Sequence, residues 1–271
     1  MRFKLTLVTQ QSAAIIPINY QYPLSAAIYK IIACADDAYA TFLHEQGYRQ
    51  EGNLKSFKLF TFSDIRTPFT ITGDRLQLTT QQAELEVCFH LPQAAENFIK
   101  GLFMQQQLDI ADKKSKARFE IQSVESLPDP LQAYKPQELI SITLKPLSPV
   151  VAGLPNEKGN YDFLSPEDIR FTESLLYNWR SKIAACYDES AASSALLMME
   201  VIPAKLPFKS RLITIKAGAP EETKIRGWMN FGLKVTGEKR FVELLLNAGA
   251  GVYNSQGMGY LGVVEEIGKV Y

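Results

Sequence analysis

The chain of 271 residues has two histidines, and one of them has a setting that suits proton transfer. Asp36 to Gln46 reads as a short helix, with Asp36 as its N-cap and Gly47 at its end, so His44 falls in the last turn. The helix macrodipole favours a cation at that end, which suits an imidazole acting as general acid or base. A capping residue is the other reading of the same placement. His90 has no comparable setting.

A second concentration of chemistry lies near the end, where Gly249-Ala-Gly251-Val-Tyr-Asn-Ser-Gln-Gly257-Met-Gly259-Tyr-Leu-Gly262 holds five of the sixteen glycines. Glycine costs conformational freedom, so such density asks for a backbone that turns sharply or meets a partner closely. Three readings are open. Gly257 to Gly262 spells G-x-G-x-x-G, but a dinucleotide fingerprint follows a strand and opens a helix. Here Phe241, Leu244 and Leu245 mark a helix before the loop, while Tyr260, Leu261, Val263 and Val264 mark a strand after it. The second reading is a helix C-cap at Gly249 followed by a bulged strand. The third is a backbone surface for a polyanion.

Charge bears on that third reading. Twenty-nine basic residues balance twenty-nine acidic ones overall, whereas a nucleic-acid binder carries a basic excess somewhere. The excess here is local. Lys205, Lys209, Arg211, Lys216, Lys224, Arg226, Lys234, Lys239 and Arg240 face only Glu221, Glu222 and Glu238 in the same stretch. A solvated hairpin and a phosphate-tracking face both fit such a run. If it is the latter, Lys209, Arg211, Lys224 and Arg226 are the residues expected to matter most, with Tyr253 or Tyr260 offering rings for base stacking.

Composition narrows the class. With 46% apolar and 21% charged residues the chain can bury a full core, in one large domain or two small ones. Cys34, Cys88 and Cys186 form no C-x-x-C pair and leave an odd count, which argues against a disulfide framework or a cysteine zinc site. Arg2, Lys4 and Thr6 alternate with Phe3, Leu5 and Leu7, a strand rather than a signal peptide, and no apolar run reaches membrane-spanning length. A cytoplasmic protein without a membrane segment is the expectation. Asp36-Asp37 and Glu265-Glu266 are neighbours whose side chains diverge, so no metal site is expected from them.

The elements that must position these groups repeat an order. After the first strand come helices at Pro23 to Ile32 and Asp36 to Gln46, strands near Ser56 to Phe62 and Leu76 to Thr80, and a helix at Pro92 to Met104. Strands at Arg118 to Val124 and Leu139 to Lys145 complete a β-α-β-β-α-β unit of ferredoxin-like type. Beyond a linker at Pro146 to Gly159, a long helix from Pro166 to Tyr187 opens a second pass. Strands near Leu196 to Ile202, Arg211 to Ala217 and Gly227 to Val235 follow, then the Phe241 helix and the last strand.

Together these segments resemble a known family. A helix, a G-x-G-x5-G-x-G loop from Gly249 to Gly259 and a terminal strand resemble the C-terminal signature of the CRISPR-associated endoribonucleases that cut repeat RNA, members of the repeat-associated mysterious protein (RAMP) superfamily. The opening segments agree in order: Met1-Arg-Phe-Lys-Leu-Thr-Leu7, Pro17-Ile-Asn-Tyr-Gln-Tyr-Pro-Leu-Ser-Ala-Ala-Ile-Tyr29-Lys30, Phe42-Leu-His44-Glu-Gln-Gly47 and Phe57-Lys58-Leu-Phe60-Thr-Phe62-Ser63. The likeness covers roughly the first quarter and last tenth of the chain.

The resemblance implies an α+β fold of two tandem ferredoxin-like (RRM-like) domains, residues 1–145 with the catalytic groups and 146–271 with the RNA-binding loop. It implies Tyr29, His44 and Lys58 as catalytic residues, and CRISPR repeat RNA (pre-crRNA) as substrate. Gly249, Gly251, Gly257 and Gly259, with Lys209, Arg211, Lys224 and Arg226, become the RNA-binding set. Metal and cofactor are not expected, because the RNA's own 2′-hydroxyl supplies the nucleophile. A monomer or homodimer, working alone or with other subunits of a CRISPR effector complex, fits this picture. Two alternatives stay open: a non-catalytic repeat-RNA-binding subunit, and a ferredoxin-like small-molecule binding protein in which the glycine loop is structural. From the residues alone, Tyr29 also reads as a half-buried packing residue and Lys58 as part of a solvated edge, pointing toward the face of Phe60 and Phe62.

Overall fold

The computed structural model describes residues 1–49, 55–157 and 161–264. The first part of the chain runs β1 (Arg2–Val8), β2 (Ile15–Pro17), α1 (Gln21–Ala35), α2 (Asp37–Glu45), β3 (Phe60–Phe62), β4 (Phe69–Thr72), β5 (Arg75–Leu78) and β6 (Gln82–Phe89). It continues with α3 (Pro92–Met104), β7 (Gln107–Ala111) and β8 (Lys116–Leu127). The second part runs β9 (Leu139–Pro146), β10 (Gly153–Pro155), β11 (Tyr161–Phe163), α4 (Ile169–Cys186), α5 (Glu189–Ser194) and β12 (Met198–Pro203). The chain then forms β13 (Lys209–Ile215), β14 (Thr223–Met229), β15 (Phe231–Glu238), α6 (Lys239–Ala248) and β16 (Leu261–Val263).

Two antiparallel sheets organise the α+β fold. The first has the strand order β3-β6-β1-β8-β7, the second β12-β15-β9-β16. Setting aside the edge strand β7, both place the first strand of their half beside the last and the third, with the second outermost. That is the ferredoxin-like β-α-β-β-α-β connection, and its first crossover is α1 with α2 in one half and α4 with α5 in the other. In α1 the apolar positions Leu24, Ile28, Ile31 and Ile32 recur on one face and are buried. Asp36 caps α2 by accepting from the Tyr39 amide at 2.9 Å, and Pro92 opens α3 in its first turn.

Each half has its own core. Phe60, Phe62, Phe89, Phe98 and Phe119 fill the first, and Phe171, Trp179, Phe241 and Leu244 the second, all fully buried. The halves are also tied directly. Arg2 Nη2 donates to the Leu261 carbonyl at 2.5 Å, Thr61 Oγ1 to Met258 at 3.0 Å, and Ser25 Oγ to Ser255 at 2.6 Å. Tyr260 donates its phenol to Glu86.

The structure departs from expectation in four places. The strand at Leu139 to Lys145, expected to finish the first unit, is β9 and pairs with β15 and β16 in the second sheet. β6 takes the main-sheet place expected of Leu76 to Thr80, whose strand β5 belongs to a small separate sheet, β2-β5-β4. The signal for β6 was present, since Ala83, Leu85 and Val87 alternate inward against Glu84 and Glu86. Gly227 to Val235 is two strands rather than one, because Asn230 has φ +64° and turns the chain between β14 and β15.

Pro146 to Gly159 is the fourth. Its prolines and glycines suggest a linker, yet Val150 and Val151 are fully buried and Val150 exchanges two backbone hydrogen bonds with Trp228, at 2.9 Å each. Burial of the apolar Val-Val-Ala run outweighs the turn-forming neighbours. Residues 158–160, like Glu265 and Glu266, lie outside the described part. Among the described residues, no helix is long and apolar enough to cross a membrane.

Candidate functional site

Tyr29 in α1 and Lys58 just before β3 both meet His44, which lies in the last turn of α2. The rings of Tyr29 and His44 lie edge to face with centroids 5.1 Å apart, and Tyr29 packs likewise against Phe60 at 5.4 Å. Lys58 Nζ donates to the His44 carbonyl at 2.8 Å. The turn beyond α2 makes this approach possible. Tyr48 and Phe57 pair through backbone hydrogen bonds of 2.8 and 2.7 Å, which draws the lysine segment back over the helix end. A Cβ at Gly47 would stand 2.7 Å from the Phe57 carbonyl and 2.9 Å from Lys58 Cδ.

Lys58 does not follow the strand alternation expected of it. Leu59 has φ +54°, and β3 begins only at Phe60, so the facing of Lys58 is set apart from that of buried Phe60 and Phe62. The imidazole of His44 is exposed to solvent, where a substrate can reach it. Burial pushes the Tyr29 phenol up to about 12, against a smaller downward pull from its hydrogen bond with Ser255. A phenol is protonated at neutral pH in any case, and burial strengthens that preference, so Tyr29 has an O–H to donate. Burial lowers the Lys58 ammonium from its ordinary value.

Ser255 belongs to the glycine-rich loop, which thereby reaches the same site. Gly249, Gly251, Gly257 and Gly259 are all buried, all have positive φ, and their backbones face the protein itself. A Cβ at Gly257 would lie 2.4 Å from the Phe62 ring, and one at Gly251 would lie 2.1 Å from the Val151 carbonyl oxygen. The half-buried residues Val252 to Gln256 form the outer turn of the loop. Asn254 knits it from within, donating Nδ2 to the carbonyls of Ala250 at 2.9 Å and Met258 at 3.0 Å.

A lysine that sequence reasoning missed holds this turn from below. Lys182 in α4 is 1% exposed, and its Nζ donates to Gly249 O at 2.5 Å, Gly251 O at 3.1 Å and Asn254 Oδ1 at 2.7 Å. Burial, with a smaller contribution from Lys55, drives the ammonium well below its ordinary range. The signal in sequence was a lysine among apolar positions of a helix stripe, Leu175, Trp179 and Ile183. Lys182→Met strips three acceptors of their donor, and each acceptor left buried costs about 1–3 kcal/mol. The expected result is a lower denaturant midpoint, with amide exchange accelerated first at residues 250–257; exchange unchanged there would show the loop to be held by other contacts.

The four basic residues expected to bind RNA sit on the β13-β14 hairpin but do not form one patch. Arg211 pairs with Asp64 at 2.5 Å and so fastens the hairpin to the first half. Lys224 and Arg226 are exposed on the opposite face of the hairpin, and Lys209 is exposed near its base. The alternation of side chains along β13 and β14 makes this separation. Among the described residues, no group of three His, Cys, Asp or Glu side chains is placed to hold a metal ion.

Between Lys58, α4 and the glycine loop lies a cleft of about 200 Å³. Lys55, Lys58, Lys182 and Asn178 line it together with Tyr253 and Gln256 of the loop. The loop's packing and the cleft it borders join chemistry from both halves at one place.

Comparison with known proteins bears on both halves. Residues 15–124 match the family described as CRISPR-associated protein Cas6, N-terminal, and residues 132–263 match CRISPR associated protein Cas6, C-terminal. The chain is 28% identical over 267 residues to CRISPR-associated endoribonuclease Cas6 1 of Methanocaldococcus jannaschii, covering 98% of this chain and 94% of that protein. It is 26% identical over 209 residues to CRISPR-associated endoribonuclease Cas6 of Pyrococcus furiosus, covering 76% and 71% respectively. A solved structure of a CRISPR associated protein Cas6 is similar with a TM-score of 0.71 at 28% identity, covering 98% of this chain and 99% of that one.

Proposed function

This chain belongs to the Cas6 family of CRISPR-associated proteins, and from that premise we propose that it is a metal-independent endoribonuclease that cleaves CRISPR repeat RNA into guide RNAs. The observation that carries the proposal is the contact of Tyr29 with His44 and of Lys58 with the His44 carbonyl, across three separate segments. In this reading the N-terminal ferredoxin-like unit carries the catalytic groups, the C-terminal unit carries the glycine-rich loop, and the protein works in the cytoplasm, alone or beside other CRISPR subunits.

The reaction needs proton transfer and charge stabilisation. The 2′-oxygen attacks the adjacent phosphorus as its proton leaves, the bond from phosphorus to the 5′-oxygen breaks, and that oxygen takes up a proton. The products are a 2′,3′-cyclic phosphate and a 5′-hydroxyl. His44, exposed beside Tyr29, moves one of these protons. Tyr29, protonated at neutral pH, donates a hydrogen bond that orients the 2′-hydroxyl or a phosphate oxygen. Lys58 offsets the charge that builds on the non-bridging oxygens in the transition state.

The test is cleavage of the cognate repeat RNA in EDTA, beside a substrate with one 2′-deoxy nucleotide just upstream of the cut. The expected result is one cut per repeat in the all-ribose RNA and none in the deoxy substrate. Cleavage that stops in EDTA and returns with magnesium would overturn the metal-independent mechanism. Tight binding without any cut would make the chain a guide-RNA-holding subunit instead.

A further inference from the structure

The cleft beside Lys58 holds a polar group that the fold leaves unserved. Asn178 of α4 is 3% exposed, and neither its amide nitrogen nor its amide oxygen has a hydrogen-bond partner. Buried amides are normally satisfied, so an unserved one in a cleft wall points to a ligand. Asn178 stands one helical turn before Lys182, and both line the cleft.

Three lysines gather around this amide. Lys55, Lys58 and Lys182 line the cleft, and among the described residues no aspartate or glutamate does. Lys55 Nζ lies over the rings of Tyr177 at 5.0 Å and Phe57 at 5.4 Å. Burial lowers all three ammonium groups from their ordinary values, and Lys55 adds to the effect on Lys182. Opposite the lysines, Gln256 Oε1 is buried without a partner and provides an acceptor for a hydroxyl.

We propose that this cleft is a subsite for an RNA phosphodiester next to the scissile one, with Asn178 donating its amide N–H to a phosphate oxygen, Lys55 neutralising the charge, and Gln256 accepting from a ribose 2′-hydroxyl. The proposal rests on the repeat-RNA reading above. Lys58 stands at the boundary of the two positions, shared between the reacting phosphate and its neighbour, while His44 lies outside the cleft lining. The subsite thus fixes the register of the strand, so that a chosen phosphorus stands at His44.

The experiment titrates repeat RNA made uncleavable by one 2′-deoxy nucleotide at the cut against wild type, Asn178→Leu and Lys55→Met, over a salt series, by fluorescence anisotropy. A parallel set of RNAs carries a neutral methylphosphonate at one linkage at a time. Each variant is expected to bind roughly tenfold more weakly, the size of a lost hydrogen bond or ion pair to a charged group. Lys55→Met should also lower the slope of log affinity against log salt by about 0.7, one phosphate's share on a single strand. One methylphosphonate position beside the cut should weaken wild type by a similar factor and the variants hardly further, the mark of a shared contact.

Wild-type affinity and an unchanged salt slope in both variants overturn the subsite while leaving the repeat-RNA reading intact. Losses that simply add at every methylphosphonate position overturn it too. A wild type that does not bind repeat RNA removes both. Should Asn178→Leu melt markedly lower than wild type, Lys55→Met, at the half-exposed rim, decides the matter.

Discussion

His44→Ala is expected to slow single-turnover cleavage of repeat RNA by roughly a hundredfold or more, the size of a lost general acid or base. Stability and RNA affinity should stay close to wild type. The imidazole is solvent-exposed, so its removal opens no cavity in the core, and the helix that carries it is held by the Asp36 cap and by buried Tyr39, Ala40 and Leu43. The lysine contact also survives, because Lys58 bonds the main-chain carbonyl of residue 44 rather than its ring. Single-turnover rates at saturating protein, with a denaturation curve for each variant, check the point. A variant that cuts at the wild-type rate would leave Tyr29 and Lys58 without a proton carrier and remove His44 from the mechanism. Slow cutting with intact binding is the pattern that separates a catalytic role from a capping one.

Gly251→Ala should be among the most damaging single methyl additions in the glycine loop, costing about 2–5 kcal/mol from left-handed strain together with a main-chain collision. Its φ is +69°, and the added carbon would fall 2.1 Å from the Val151 carbonyl oxygen, which already accepts from Val252 N at 3.0 Å. Neither partner is the flexible end of a side chain. Gly218→Ala supplies the control, with a similar φ of +72° and nothing within 4 Å of the added carbon. That substitution should cost about 1–2 kcal/mol, the conformational part alone. Chemical denaturation of the two variants isolates the packing component. Equal midpoints would mean that the loop shifts outward at no cost and that its close seat against Val151 is unimportant.

Much of the local structure was legible in the chain because short-range physics decides it. The Asp36 cap, the Pro92 start of α3 and the Leu24, Ile28, Ile31 and Ile32 face all follow from interactions within a few residues. The C-cap role of Gly249 was legible in the same way. Strand partnership was not. β5 and β6 lie close together in sequence and both alternate, yet they join different sheets. Alternation alone does not assign the sheet, which is set by the partners each strand finds, β1 and β3 for β6 and β2 and β4 for β5.

The site divides along the same line. His44 stood out from its place at a helix end, and its meeting with Tyr29 and Lys58 was expected only through family resemblance. The glycine loop was visible as composition, while its inward-facing glycines and the Lys182 clamp were not. Lys182 reaches acceptors 67 to 72 residues away, and Arg211 spends its charge on Asp64, 147 residues away. The sequence by itself determined the helices, their caps, the alternating strands and the types of residue available for chemistry, because those depend on neighbours along the chain. Only the tertiary structure decided which lysines are buried under the loop, which arginine is already paired and which amide is left unserved. Pairing is a property of surfaces brought together across the fold, and spacing along the chain, which marks a buried stripe, does not name the partner it meets.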